Sequence, residues 1–154
     1  MNRRLNKLDD IRADLDENTS HQTYHGPDEA DYGILVWGSQ QGTVFEAVDR
    51  LNENGHSVKA LGVSDMAPYP KEEVSEWLES VDEALVVEMN ATAQFRGLTQ
   101  KELGKYGDKM SSLLKYNGNP FEPAEIVDGF ESSIDGEELA ASNMKYVPAQ
   151  VTNQ

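Results

Sequence analysis

Not one of the 154 residues is a cysteine, which excludes disulfides, thiolate nucleophiles, Cys-ligated zinc and Fe–S ligation by this chain. Basic residues are scarce too, 13 Lys and Arg against 28 Asp and Glu for a formal net charge of -15. Such a surface repels nucleic acid and anionic membrane, so neither is an expected partner. No apolar run is long enough to span a bilayer, and Met1 to Asp10 carries charge without the apolar stretch of a signal peptide. The cytoplasm is the expected location. Only three histidines occur. His21 and His25 are four residues apart, a spacing that suits a metal only on a helix, and Gly26-Pro27 argues against one there. Solvated histidines and no metal site are the expectation. No Ser/His/Asp order, zinc spacing or paired catalytic carboxylates stands out.

What is abundant is acid, and it is spread over the chain with most of it on the middle. An acidic tail alone would suggest an interaction arm. Acid scattered over a well-patterned domain fits a surface built for high salt, where screening removes the self-repulsion. A halophilic source is the reading, with an acidic mesophilic protein as the alternative.

The length allows one domain of ordinary size, and both ends are poorer in apolar residues than the middle. Residues 1–29 read as a short helix, with Leu5, Leu8, Ile11 and Leu15 at three- and four-residue steps, followed by a polar linker. The packed domain is expected over 30–131. Ile34 to Trp37 is a short run rich in β-formers. Val44, Phe45, Val48 and Leu51 then share one helical face opposite Glu46, Asp49, Arg50 and Glu53, and Gly55 sits at the C-cap.

Ser57 to Val63 predicts a second strand, and Met66-Ala-Pro-Tyr-Pro70 an extended connection, because each proline disfavours helix in its predecessor. Lys71 to Val81 reads as a helix, Ala84 to Glu88 as a buried strand, and Thr92 to Tyr106 as a third helix weakened by Gly97 and Gly104. Ser111 to Tyr116 is a further strand, Asn117-Gly-Asn-Pro120 a turn, and Pro123 to Phe130 a short helix started by proline. Residues 132–154 are polar and read as a disordered acidic tail. The alternation predicts an α/β fold: three layers, with a mostly parallel sheet and helices on both faces.

Ligands of such folds gather at strand C-terminal ends, here Trp37-Gly-Ser39, Val63-Ser-Asp65 and Glu88-Met-Asn90. Gly38, Ser39 and Gly42 precede a helix N-terminus, where free backbone N–H groups and the dipole can receive a phosphate or carboxylate. Equally, glycine makes the turn there and Ser39 or Thr43 caps the helix. The run lacks both the Gly-x-Gly-x-x-Gly spacing and the lysine of a P-loop. Glu88, Asn90 and Gln94 place a carboxylate and two amides toward the same cleft. A carboxylate at a strand end can act as a general base, cap a helix or face a neighbouring domain. With no His or Lys beside it, the structural or interface role is expected. The residues by themselves say α/β domain and assign no catalytic group.

The combination of Ile34-Leu-Val-Trp-Gly-Ser39, Gly42-Thr-Val-Phe-Glu-Ala47, Leu51-Asn-Glu-Asn-Gly55, Met66-Ala-Pro-Tyr-Pro70 and Val87-Glu-Met-Asn90 with Gln94 resembles the α subunit of 2-oxoacid:ferredoxin oxidoreductases. It looks like the transketolase C-terminal-like domain of that subunit, in the haloarchaeal 2-oxoglutarate or pyruvate type, over residues 3 to 131. The resemblance implies an enzyme that oxidatively decarboxylates a 2-oxoacid with thiamine diphosphate, Mg²⁺ and coenzyme A and reduces ferredoxin through Fe–S clusters. It implies that the thiamine-binding part of the α subunit and the β subunit are partners, and that this chain binds none of the cofactors alone. Lys7 and its neighbours would belong to the connection from an upstream domain. Thr92-Ala93 departs from the aromatic residue and glycine that the family often places before Gln94. Three expectations follow: a domain of the oxidoreductase that is inactive alone, a stand-alone small-anion-binding module, or a truncated product without function.

Overall fold

The computed structural model describes residues 22–64, 68–135 and 144–149. The expected helix around Leu5 to Leu15, Lys7, His21 and most of the expected tail lie outside the described residues. Six strands form one sheet: β1 (Thr23–His25), β2 (Tyr32–Trp37), β3 (Val58–Val63), β4 (Glu83–Glu88), β5 (Met110–Lys115) and β6 (Met144–Val147), in the order β1-β3-β2-β4-β5-β6. The inner four are parallel, and β2 lies between β3 and β4 with Tyr32 opposite both Val58 and Glu83. Four helices connect them: α1 (Gln41–Glu53), α2 (Lys71–Glu79), α3 (Gln94–Leu103) and α4 (Pro123–Asp135). The expected α/β fold is the one observed.

Period-two alternation along strands buried on both faces makes the two cores. Ile34, Val36, Leu85, Val87 and Leu113 face Val44, Ala47, Val48 and Leu51 of α1 and Ile126 and Phe130 of α4. Leu35, Val86, Leu61 and Val63 point the other way, toward Val74, Trp77 and Leu78 of α2 and Phe95 of α3. Each fully buried aliphatic side chain contributes about 1.5–3 kcal/mol relative to exposure. One backbone approach is very close. A Cβ on Gly33 would stand 2.5 Å from the Trp77 ring, so only glycine leaves room for the indole against β2.

The sheet runs past both ends of the 30–131 segment. β1 occupies part of the expected linker and pairs antiparallel with β3, Thr23 opposite Gly62, while β6 occupies part of the expected tail and pairs antiparallel with β5. Side chains hold both edges. Gln22 accepts the Ser64 N–H at 2.9 Å, and Arg96 donates to the carbonyls of Met110, Val147 and Pro148 at 3.3–3.4 Å.

Three helices also end elsewhere than expected. α2 stops at Glu79, short of Val81. α3 stops at Leu103 because Gly104 turns into the left-handed region at φ 71, and α4 runs on to Asp135. Among the described residues no helix is long and apolar enough to cross a membrane.

Candidate functional site

The chain leaves β2 through α1 toward β3 on one side, and leaves β4 through α3 toward β5 on the other. The two turns diverge and open a cleft at the carboxyl ends of the two central strands, the position where open α/β sheets hold ligands. This cleft measures about 630 Å³ and is lined by Trp37, Gly38, Ser39, Gln40, Val87, Glu88, Met89, Asn90, Gln94, Phe95 and Leu98. Gly38, Ser39, Glu88, Asn90 and Gln94 are thus brought together as expected. Gly42 is not, since it sits inside α1 with open space where its Cβ would be.

Gly38 supplies the turn at φ 80, a backbone conformation that costs other L-residues about 1–2 kcal/mol. A single 3-10 turn, Gly38–Gln40, precedes α1, and no side chain caps either element. The expected capping by Ser39 or Thr43 is therefore not formed. Gln40 is buried, and its Oε1 accepts the Phe121 N–H at 3.0 Å. Gln41 leans over β3 so closely that a Cβ on Gly62 would stand 2.5 Å from its side chain.

Glu88 decides what the other side of the cleft can do. Its side chain is buried, yet both oxygens are engaged: Oε1 accepts the Phe95 N–H at 2.5 Å and the Asn90 amide at 2.9 Å, and Oε2 accepts the Arg96 N–H at 3.1 Å. The carboxylate occupies the positive end of the α3 dipole, where an anionic ligand would otherwise sit. Asn90 Oδ1 adds the N–H groups of Thr92 and Gln94 at 3.1 and 3.3 Å. The segment turns through Ala93 in the left-handed region, φ 52 and ψ 48, the position where the resembled family often has glycine. Among the described residues Glu88 is the one titratable side chain lining the cleft, and both of its oxygens accept from the fold. In this geometry Glu88 caps α3.

A second hollow of about 410 Å³ lies beside β1, between Tyr24, Lys59, Glu73, Glu76 and Trp77. The Tyr24 hydroxyl donates to Glu73 at 3.2 Å. Burial first, then Glu73 and Glu76, push its pKa up to about 12, so the phenol stays neutral. Lys59 is buried and donates to the Asp28 carbonyl at 3.1 Å. His25 is not simply solvated. Its ring stacks on Phe45 with centroids 4.7 Å apart, and Nε2 lies 2.8 Å from Asp49. His56 packs edge-on against Phe130, 3.5 Å from Glu131. Among the described residues no three His, Cys, Asp or Glu side chains converge to hold a metal ion.

Trp37 and Met89 belong to the strand-end runs expected to face ligands, whereas Phe95 and Leu98 were not expected at the cleft. Position gives the signal for Trp37 and Met89, each at or just beyond a strand end. Nothing local announces Gln40, whose partner is 81 residues away.

A model of pyruvate:ferredoxin oxidoreductase core domain II matches residues 30–126. Over 142 residues the chain is 30% identical to subunit alpha of 2-oxoacid:ferredoxin oxidoreductase 1 from Sulfurisphaera tokodaii, an alignment covering 92% of this chain and 22% of that subunit. The chain thus spans about a fifth of the length of this curated relative. Among solved structures it is similar to a 2-oxoglutarate:ferredoxin oxidoreductase from Magnetococcus marinus, described with 2-oxoglutarate, coenzyme A and succinyl-CoA bound. The TM-score is 0.70 at 27% identity over 78% of this chain and 21% of that one. A split-gene transketolase shares the fold alone, with a TM-score of 0.51 and 14% identity over 60% of this chain and 32% of that one.

Proposed function

The chain belongs to the pyruvate:ferredoxin oxidoreductase core domain II family, and from that premise we propose that it works as this domain of the α subunit in a thiamine-diphosphate-dependent 2-oxoacid:ferredoxin oxidoreductase. The reaction assigned to the whole enzyme is oxidative decarboxylation of 2-oxoglutarate or pyruvate to the acyl-CoA with reduction of ferredoxin. This domain contributes to assembly and has no turnover alone. Its partners are the thiamine-binding part of the α subunit and the β subunit, with ferredoxin reached through the complete enzyme.

The observation that carries the assembly role is Glu88. Among the described residues the cleft's one titratable group accepts from the N–H groups of Phe95 and Arg96 and from Asn90, which leaves no unengaged carboxylate there to act as a base. Nor do the residues fit the family's cofactors. A chain without cysteine has no thiolate for an Fe–S cluster, and among the described residues the lining of the cleft holds no cation to meet a pyrophosphate. Thiamine diphosphate, Mg²⁺, the clusters and coenzyme A are accordingly assigned to the rest of the enzyme.

Co-purification in molar KCl tests the reading. The chain should elute with the thiamine-binding part of the α subunit and the β subunit and be required for 2-oxoacid-dependent ferredoxin reduction. Failure to associate would remove its support. The acid-rich surface further supports a halophilic source, for which the melting temperature should rise steeply with KCl; a domain no more stable in molar salt than in dilute buffer ends that part of the proposal.

A further inference from the structure

The rim of the sheet at its carboxyl ends differs from the rest of the molecule. Trp37, Met89 and Tyr116 stand at the ends of β2, β4 and β5, which are neighbours in the sheet, and their side chains are 49%, 41% and 49% exposed. The turns that carry them are free of charge. None of the residues 37–45, 89–95 or 116–121 is Asp, Glu, Lys, Arg or His, in a chain that is 27% charged and has a net charge of -15. Lys115, the last residue of β5, is buried and held by Glu125 at 2.7 Å and by the Pro120 carbonyl at 2.9 Å.

An acid-rich surface in water or brine has no reason to spare one continuous edge. Loss of charge together with Trp, Tyr and Met is the composition of the core of a protein interface. The edge is a poor small-ligand site by comparison, because Glu88 already fills the α3 N-terminus and, among the described residues, the cleft lining holds no cation.

We propose that this carboxyl rim, centred on Trp37, Met89 and Tyr116, is the surface on which the remainder of the α subunit docks, through an uncharged, largely apolar patch of its own. The inference rests on the function proposed above. That occupant is chosen because the matched relative carries this domain as 22% of a longer subunit, so most of the same polypeptide is at hand to cover it. Binding through such a rim is insensitive to charge screening and holds or strengthens as salt rises.

The test uses the chain with the thiamine-binding part of the α subunit and the β subunit, comparing wild type, the double variant Trp37→Glu/Met89→Glu, and Glu83→Lys at the opposite, amino end of the sheet. All three changes fall on exposed residues, and equal denaturation midpoints verify that the fold is intact. The double variant should bind at least ten-fold more weakly, Glu83→Lys as wild type does, and wild-type affinity should not fall between moderate and molar KCl. Wild-type association with undiminished binding of the double variant overturns the rim and leaves the proposed function standing, as does affinity that drops with salt. No association of the wild type overturns both. Self-association of the isolated chain that the double variant abolishes makes the occupant a second copy and overturns the choice made here.

Discussion

The β2–α1 and β4–α3 turns face each other across the cleft and perform the same task, reversing a buried strand into a helix. They use different chemistry. At the first, Gly38 adopts φ 80 at no steric cost, and α1 begins without a side-chain cap. At the second, Ala93 holds φ 52 despite its Cβ, and Glu88 with Asn90 takes four N–H groups at the start of α3. A third turn, β5–α4, offers another solution: Glu125 accepts from its own Glu122 N–H at 2.9 Å and from buried Lys115 at 2.7 Å. One fold therefore tolerates several ways of starting a helix. Side-chain acceptors stabilise the second turn enough to carry a strained alanine.

The largest expected effect comes from removing that support. Glu88→Leu leaves buried N–H groups without acceptors and should cost about 3 kcal/mol in chemical denaturation. A loss below ~1 kcal/mol would mean that α3 needs its carboxylate no more than α1 does. At the third turn, Glu125→Gln should cost about 2 kcal/mol by leaving the Lys115 ammonium buried without its carboxylate. Burial pushes the Glu125 carboxyl up, but the Lys115 hydrogen bond, the Glu122 N–H and the Lys115 charge outweigh it and hold it below the usual range. A lowered folded value means the stabilisation is complete above the ordinary carboxyl pKa of about 4.3 and is lost as pH falls through the lowered value. The gap between wild type and Glu125→Gln should therefore close in acid, and a gap constant from neutral pH downward would refute the pairing.

Smaller effects divide the two cleft turns directly. Gly38→Ala should cost about 1–2 kcal/mol, since the left-handed conformation then carries a Cβ. Ala93→Gly should go the other way and stabilise by about 0.5–1 kcal/mol, the relieved strain less the entropy that glycine loses on folding. If both changes destabilised, the strain assigned to Ala93 would be absent and the contrast between the turns would disappear.

The inner strands and all four helices were legible because their signals are local. Val44, Val48 and Leu51 repeat at helical spacing, and Ala84 to Val87 is apolar throughout. β1 and β6 were missed for the opposite reason. Thr-Tyr-His and Met-Lys-Tyr-Val are short and partly polar, and their pairing partners lie far along the chain, Thr23 with Gly62 and Met144 with Lys115. The cleft was half legible. Strand ends placed Gly38, Ser39, Glu88, Asn90 and Gln94 together, whereas the use of the Glu88 carboxylate depends on where Phe95 and Arg96 present their N–H groups, which spacing does not give. Ala93 was visible as a departure from the family pattern before its backbone conformation gave that departure a physical meaning.

The close seat of Trp77 on Gly33 has an optical consequence. The chain carries two tryptophans. Trp77 is 4% exposed with an indole N–H that meets no partner, and Trp37 is 49% exposed. Their emission should differ accordingly, Trp77 at the blue edge and beyond the reach of acrylamide, Trp37 red-shifted and quenchable. With Trp37→Phe the fluorescence becomes a record of unfolding alone, and with Trp77→Phe a record of what covers the rim.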